Sequence, residues 1–239
     1  MKYKYVMNFV DDLVIYSKNI EEHMIHLRNV VQRLSEHGLT VNPAKVKFAC
    51  KEIQFLGHLI SKDEIKIDQD RTKAITDCEP PKNAKEVSRF IGAVSYFSKF
   101  IPGYAKYAAC LNDLRKKNTK FVWTEECQAN FEKLKECITN PPVLAIPNYN
   151  EKFILYCDAS EKAAGSCLMQ NIEGEKKPVA YFSKKFSETE RRNLTVYQKE
   201  ALSVVWSINK FRSYLEIKKF TLVTDNNALA WVLSHFRKL

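Results

Sequence analysis

KFILYCDASEKAAGSCLMQNIEGEKKPVAYFSKKF, residues 152–186, is the stretch on which the reading turns. KFILYCDAS, AAGSCLMQ and PVAYFSKKF are strand-like runs, and Asn171 to Gly174 supplies a turn between the last two. Thr195 and Gln198 cap a long helix whose Tyr197, Ala201, Val204, Ile208, Phe211 and Leu215 form one apolar stripe. The strand FTLVTD and a last helix from about Asn227 complete a β-β-β-α-β order.

Upstream, NPPVLAIP cannot continue a helix and marks one boundary, and Pro80 with Pro81 marks another. Between them, from Ala84 to about Glu136, the spacing predicts helices, with Thr124 capping the last. Its aromatic residues Phe90, Tyr96, Phe97, Phe100, Tyr104 and Tyr107 read as core ahead of a base-stacking platform. Residues 3–17, YKYVMNFVDDLVIYS, predict a hairpin with an acidic turn. Asn19 and Glu22 form a capping box for a helix carrying Met24, Leu27, Val31 and Leu34 and stopping at Gly38. LTVNPAKVKFACKEIQFLGHLIS then predicts short strands with turns at Pro43 and Gly57. The whole is an α+β chain.

With 239 residues, 45% of them hydrophobic, the sequence has material for one large or two modest cores, which excludes a disordered or collagen-like chain. There is no apolar run of membrane-spanning length and no signal core or other targeting signal, so an intracellular setting is expected. Seven scattered cysteines without metal-ligand spacing fit a reducing compartment. The net charge of +10 is uneven: residues 1–79 hold 12 basic and 12 acidic side chains, so the whole excess lies beyond them. A phosphate backbone suits such a surface.

Two acidic constellations could carry chemistry. Asp11 and Asp12 sit among Phe9, Val10, Leu13, Val14 and Ile15, where burial and mutual repulsion would call for a divalent cation. Asp158 and Asp225 end strands and Glu200 borders a helix stripe, so the three could converge on one hard-metal site. Taken singly, each has a plainer explanation: Asp158 starting a turn, Glu200 bordering a buried face, Asp225 capping the next helix. His23 and His26 read as a solvated helix face rather than metal ligands.

These motifs resemble the Pol polyprotein of retroviruses and of gypsy-class long-terminal-repeat retrotransposons along the whole chain. FVDDLVIYS resembles the polymerase aspartate motif, GLTVNPAKVKF the lysine-bearing segment after it, and FLGHLIS the primer-grip turn. RFIGAVSYFSKFIPGYAK, FVWTEECQANFEKLK and PPVLAIP are similar to the thumb and its connection, while LYCDAS, QKEALSVVW and LVTDNNALAW resemble three ribonuclease H motifs.

The resemblance implies the C-terminal part of a reverse-transcriptase palm over 1–79, a helical thumb and connecting segment over 80–145, and a C-terminally truncated ribonuclease H-like domain over 146–239. It makes Asp11 and Asp12 polymerase metal ligands, and Asp158, Glu200 and Asp225 nuclease ones, for Mg²⁺ or Mn²⁺. Lys45 would lie near the incoming nucleotide, and Phe55, Leu56, Gly57 and His58 would contact nucleic acid. RNA template, DNA primer, RNA–DNA hybrid and deoxynucleoside triphosphates are the implied partners, and no membrane. The resemblance leaves oligomeric state open and puts a further polymerase aspartate before Met1 and a fourth nuclease acid beyond Leu239. Phe9, Ala163, Gln198 and Cys110 depart from the family's usual residues without removing a matched ligand. The alternative is a non-catalytic nucleic-acid-binding remnant.

Overall fold

The computed structural model describes residues 4–117 and 119–235, in two compact units that divide between Ile53 and Gln54. In the first, β1 (Val6–Phe9) and β2 (Asp12–Ile15) form an antiparallel hairpin with Phe9 opposite Asp12, followed by α1 (Ile20–Glu36). Asn19 accepts the Glu22 N–H at 2.8 Å, but the Glu22 carboxylate accepts from the Lys18 N–H, so the reciprocal arm of the expected capping box is displaced by one residue. Gly38 stops the helix at φ +68°, a conformation glycine adopts freely.

Two expectations fail in this unit. The segment 39–52 carries no strand; it holds a single 3-10 turn, Pro43–Lys45. Pro43 has no N–H, and the Asn42 side chain captures the Ala44 N–H at 3.0 Å, which withdraws donors from any ladder. The hairpin is also not buried within its unit: Phe9, Val10 and Leu13 are exposed, as are Met24 and Val31 of the α1 stripe, where only Val30 is buried.

From Ile53, the residue at the division, onward the chain forms two four-stranded sheets. One contains β3 (Ile53–Phe55), β4 (His58–Ile60), β5 (Glu64–Ile67) and, far along the chain, β6 (Leu144–Ala145), in that order. β6 pairs antiparallel with β5, Leu144 opposite Ile65, so the proline-rich segment expected as a boundary is stitched back into an earlier sheet. After β5 comes α2 (Gln69–Thr76), capped by Asp68; neither β5 nor α2 was anticipated from the sequence.

α3 (Ala84–Tyr96), α4 (Tyr104–Asp113) and α5 (Glu125–Thr139) pack around Phe90, Phe97, Phe100, Leu111, Phe131 and Leu134. The Phe90 and Phe131 rings lie 4.6 Å apart, and Thr124 caps α5 as expected, accepting the Cys127 N–H. The aromatic cluster is core, with one exception: Tyr96 is exposed.

The second sheet runs β10-β7-β8-β9, where β7 is Phe153–Ala159, β8 Ala163–Ile172, β9 Glu175–Lys185 and β10 Thr221–Val223. Left-handed Glu173 and Gly174 close the β8–β9 hairpin. β10 is parallel to β7, and such a connection needs a long crossover. α6 (Glu188–Asn193), α7 (Val196–Lys210) and α8 (Arg212–Leu215) provide it, and α9 (Asn227–His235) follows β10.

Both arms of the Thr195–Gln198 capping box are present. Of the expected stripe, Val204, Phe211 and Leu215 are buried and Ala201 and Ile208 pack against the same core, while Tyr197 is exposed; α7 also buries Lys199, Glu200, Ser203 and Ser207, which the stripe did not include. Serine is small enough to let the helix approach closely, and the two hydroxyls donate to the Glu200 and Ser203 carbonyls, so neither is left unpaired.

The helical core and the second sheet are fastened at β9. Lys185 pairs with Asp113 at 2.9 Å, Ser183 Oγ accepts the Ala105 N–H at 2.7 Å, and Tyr181 packs against the helical core. Among the described residues no helix is long and apolar enough to cross a membrane, and all seven cysteines are free thiols. Phe131 is fully buried between Phe90 and Trp123, so Phe131→Ala should lower unfolding free energy by about 3–5 kcal/mol in a urea titration. A loss below about 1 kcal/mol would show that this core is not close-packed around the ring.

Candidate active site

Asp158 lies inside β7, paired with Gly165, rather than in a turn; the turn that follows is made by Ser160, whose N–H donates to the Ala163 carbonyl. Phe153, Leu155 and Cys157 point into the core, so strand alternation turns Asp158 to the exposed side at the end of β7. Gly165 leaves open space beside it, for a Cβ there would meet nothing within 4 Å.

β10 runs parallel to β7 with Val223 beside Tyr156, and continuing that register two residues brings Asp225 alongside Asp158. Asp225 does not cap α9: the Asn226 side chain does, accepting the Leu229 N–H at 3.0 Å, which leaves the Asp225 carboxylate uncommitted to that cap.

Glu200 comes from the opposite layer. It is 5% exposed, and its Oε1 accepts the Ala159 N–H at 3.3 Å. Carboxylate oxygens of Asp158, Glu200 and Asp225 all lie within 4.8 Å of one another. Burial pushes the Glu200 carboxyl above its ordinary range; the Ala159 N–H opposes this, and the charges of Asp158 and Asp225 add to it.

Glu200 Oε2 is buried and has no hydrogen-bond partner. An acceptor that has given up water costs free energy unless a donor or a cation meets it, and here two further carboxylates face the same space. Three hard oxygen donors from a strand end, a parallel strand end and a helix fit a divalent metal ion, so this set could hold one.

The structure treats the other acidic pair differently. Asp11 lies in the β1–β2 turn and Asp12 opens β2, and both are exposed, so the argument from desolvation does not hold for them in this unit. A different signal is present at the same tip. Val10 has φ +50°, a region that β-branched side chains avoid, and such backbone strain, of order 1–3 kcal/mol, concentrates at functional turns. Lys45 is exposed at the end of the 3-10 turn. His23 and His26 are half-buried and share Ser17 Oγ, at 3.3 and 2.7 Å, instead of forming a solvated face.

Phe55 and His58 end and begin β3 and β4, and Leu56 and Gly57 form the tight turn between them, both left-handed at φ +49° and +72°. The Gly57 carbonyl accepts the Asp68 N–H at 3.1 Å. His58 is ringed by Tyr96, Phe97 and Phe100, and burial, with Lys99 adding to it, holds its imidazole below the usual range. The sequence reading missed the exposed Tyr96 at this turn because helical spacing groups it with core aromatics; its position at the last residue of α3 was the available signal.

Comparison with known proteins finds two domain matches along the chain. Residues 2–60 match the family described as reverse transcriptase (RNA-dependent DNA polymerase), and residues 123–222 match the RNase H-like domain found in reverse transcriptase. The Tf2-3 and Tf2-4 transposon polyproteins of Schizosaccharomyces pombe are each 35% identical over 231 residues, 95% of this chain. The chain spans 17% of their length.

Among solved structures, a foamy viral protease-reverse transcriptase dRH in complex with double-stranded DNA superposes with a TM-score of 0.82 at 19% identity, covering 97% of this chain and 44% of that one. A foamy viral protease-reverse transcriptase in complex with RNA/DNA hybrid gives 0.80 at 20% identity, covering 94% and 31%. These likenesses support the mixed α+β fold. With both domain matches in order on one chain and the similarity to the transposon polyproteins extending through nearly all of it, the chain is similar to the reverse transcriptase and RNase H-like segment of long-terminal-repeat retrotransposon polyproteins.

Proposed function

We propose that this chain supplies part of an enzyme that copies RNA into DNA and cleaves the RNA of the resulting hybrid, with its nuclease centre at Asp158, Glu200 and Asp225. The single observation that carries the reading is the convergence of these three carboxylates, one with a buried oxygen lacking any partner. Bound Mg²⁺ or Mn²⁺ would activate the attacking oxygen and stabilise the leaving one at phosphorus. Glu200, fixed by the Ala159 N–H, orients the buried side of the site, while Asp158, paired with Gly165, and Asp225 present oxygens on the exposed side.

The same reading takes residues 1–79 as the end of the polymerase palm, 80–145 as thumb and connection, and 146–239 as the ribonuclease H-like domain. Asp11 and Asp12 then hold polymerase metal, Lys45 serves the incoming nucleotide, and the Phe55–His58 turn meets the primer. Supporting this are the strained tip at Val10 and the two left-handed residues of the Leu56–Gly57 turn. RNA template, DNA primer, hybrid and deoxynucleoside triphosphates are the partners, in an intracellular setting.

The metal reading has a direct test. Mg²⁺ or Mn²⁺ should raise the unfolding temperature of the chain, and Asp158→Asn or Asp225→Asn, which keep shape and remove charge, should abolish that rise while changing affinity for RNA–DNA hybrid less than about twofold. Equal stabilisation of the wild type and both variants would remove the three-carboxylate site and favour the binding remnant.

A pH dependence follows from Glu200. Its folded-state carboxyl binds protons more tightly than the unfolded one, so its contribution to stability is fullest at low pH and is lost as pH rises from about 4.5, the ordinary value, through the raised folded value. Without divalent ions at neutral pH, Glu200→Gln should therefore raise the unfolding midpoint, and the gain should vanish on acidification. A Glu200→Gln midpoint at or below wild type at every pH would contradict it.

Hybrid or duplex binding should also fall steeply with salt, because the +10 excess beyond residue 79 meets phosphates rather than base edges. Affinity that holds constant between about 50 and 200 mM salt would rule this out.

A further inference from the structure

The tip of the β3–β4 hairpin has a conformation that its own residues do not favour. Leu56 and Gly57 both have positive φ, the pattern of a two-residue hairpin turn that asparagine or glycine normally supplies at its first position. Leucine has a Cβ and no side-chain polar group with which to stabilise the left-handed region, so the +49° at Leu56 is strained. Something outside the hairpin must hold it there.

The neighbour in place to do so is Tyr96, the last residue of α3 and 40 positions along the chain. Its hydroxyl donates to the Leu56 carbonyl at 2.6 Å. Its ring lies against Gly57, where an added Cβ would meet Tyr96 Cε1 at 3.7 Å, and it stacks on His58 with centroids 5.7 Å apart. Phe97 braces it edge-on at 5.0 Å and an interplanar angle of 89°. Yet Tyr96 is 55% exposed, so the ring is not there to fill a core.

We infer that Tyr96 is a positioning residue: its hydroxyl locks the Leu56–Gly57 turn in the left-handed conformation and ties that turn to the end of α3. The turn's shape then depends on where α3 ends, and a displacement of the helix terminus is passed to the hairpin tip through one short hydrogen bond and one ring contact. Extending this to nucleic acid rests on the proposed function, in which the same turn contacts the primer. There the lock would fix the presentation of Phe55 and His58.

Tyr96→Phe removes the hydroxyl and keeps the ring, so it separates the lock from packing. In the full chain, amide hydrogen exchange at Gly57 and His58 should speed up several-fold in Tyr96→Phe, while exchange in α5 and the overall unfolding midpoint stay at wild type. Leu56→Asn, which suits positive φ by itself, should restore slow exchange in the Tyr96→Phe background. Unchanged exchange at Gly57 and His58 in Tyr96→Phe would overturn the inference, as would a failure of Leu56→Asn to rescue it. Duplex affinity is the separate reading: wild type that binds no duplex would defeat the primer-contact assignment and leave the exchange result to decide the lock.

Discussion

The close approach of α7 to β7 is the contact from which the rest of the nuclease-like half follows. Ser203 and Ser207 are fully buried at this interface, each hydroxyl turned back onto its own helix, while Val204 and Phe211 supply the apolar contact. A larger residue at either serine would push the helix away and break the bond from the Ala159 N–H to Glu200. That distance decides whether the third carboxylate reaches the other two. Gathering charges within 4.8 Å is opposed by about 3 kcal/mol per pair at an effective dielectric of about 20. The sheet and its helices impose the geometry against that repulsion.

Two acidic clusters on the chain are built on different principles. At 158, 200 and 225 the carboxylates come from three elements far apart in sequence, with one of them buried and short of a partner. At 11 and 12 they are neighbours on a short exposed hairpin, where the unusual feature is backbone strain at Val10. The first cluster sets one buried carboxylate against two exposed ones, while the second lies wholly on an exposed turn.

The helical core and the second sheet share load rather than meeting as separate bodies. β6 returns to pair with β5, Lys185 of β9 reaches Asp113 of α4, and fully buried Gln170 clamps the Asn148 backbone through paired 2.8 Å hydrogen bonds. The segment between them is thereby fixed at both ends, which is why a proline-rich connector holds strand structure.

By itself the sequence determined the order of the long strands and long helices and the residue types of the candidate site. Turn chemistry and caps are local, so the Thr195–Gln198 box, the Thr124 cap, the three long strands and the Gly38 stop were all legible before any fold was known. Asp158, Glu200 and Asp225 could be picked out as candidates. Their convergence could not be derived from spacing, because it depends on a parallel β10–β7 register and on helix-to-sheet distance, both set by long-range packing. The same reason hid β5, β6 and α2, whose short runs gain meaning only from the strands and core they join, and it misled the reading of 39–52, where propensity suggested strands and no partner strand holds them. Tertiary structure alone decided that Glu200 is buried, that Tyr96 is exposed, and that the carbonyl of Leu56 lies under its hydroxyl, since each depends on contacts between residues distant in the chain.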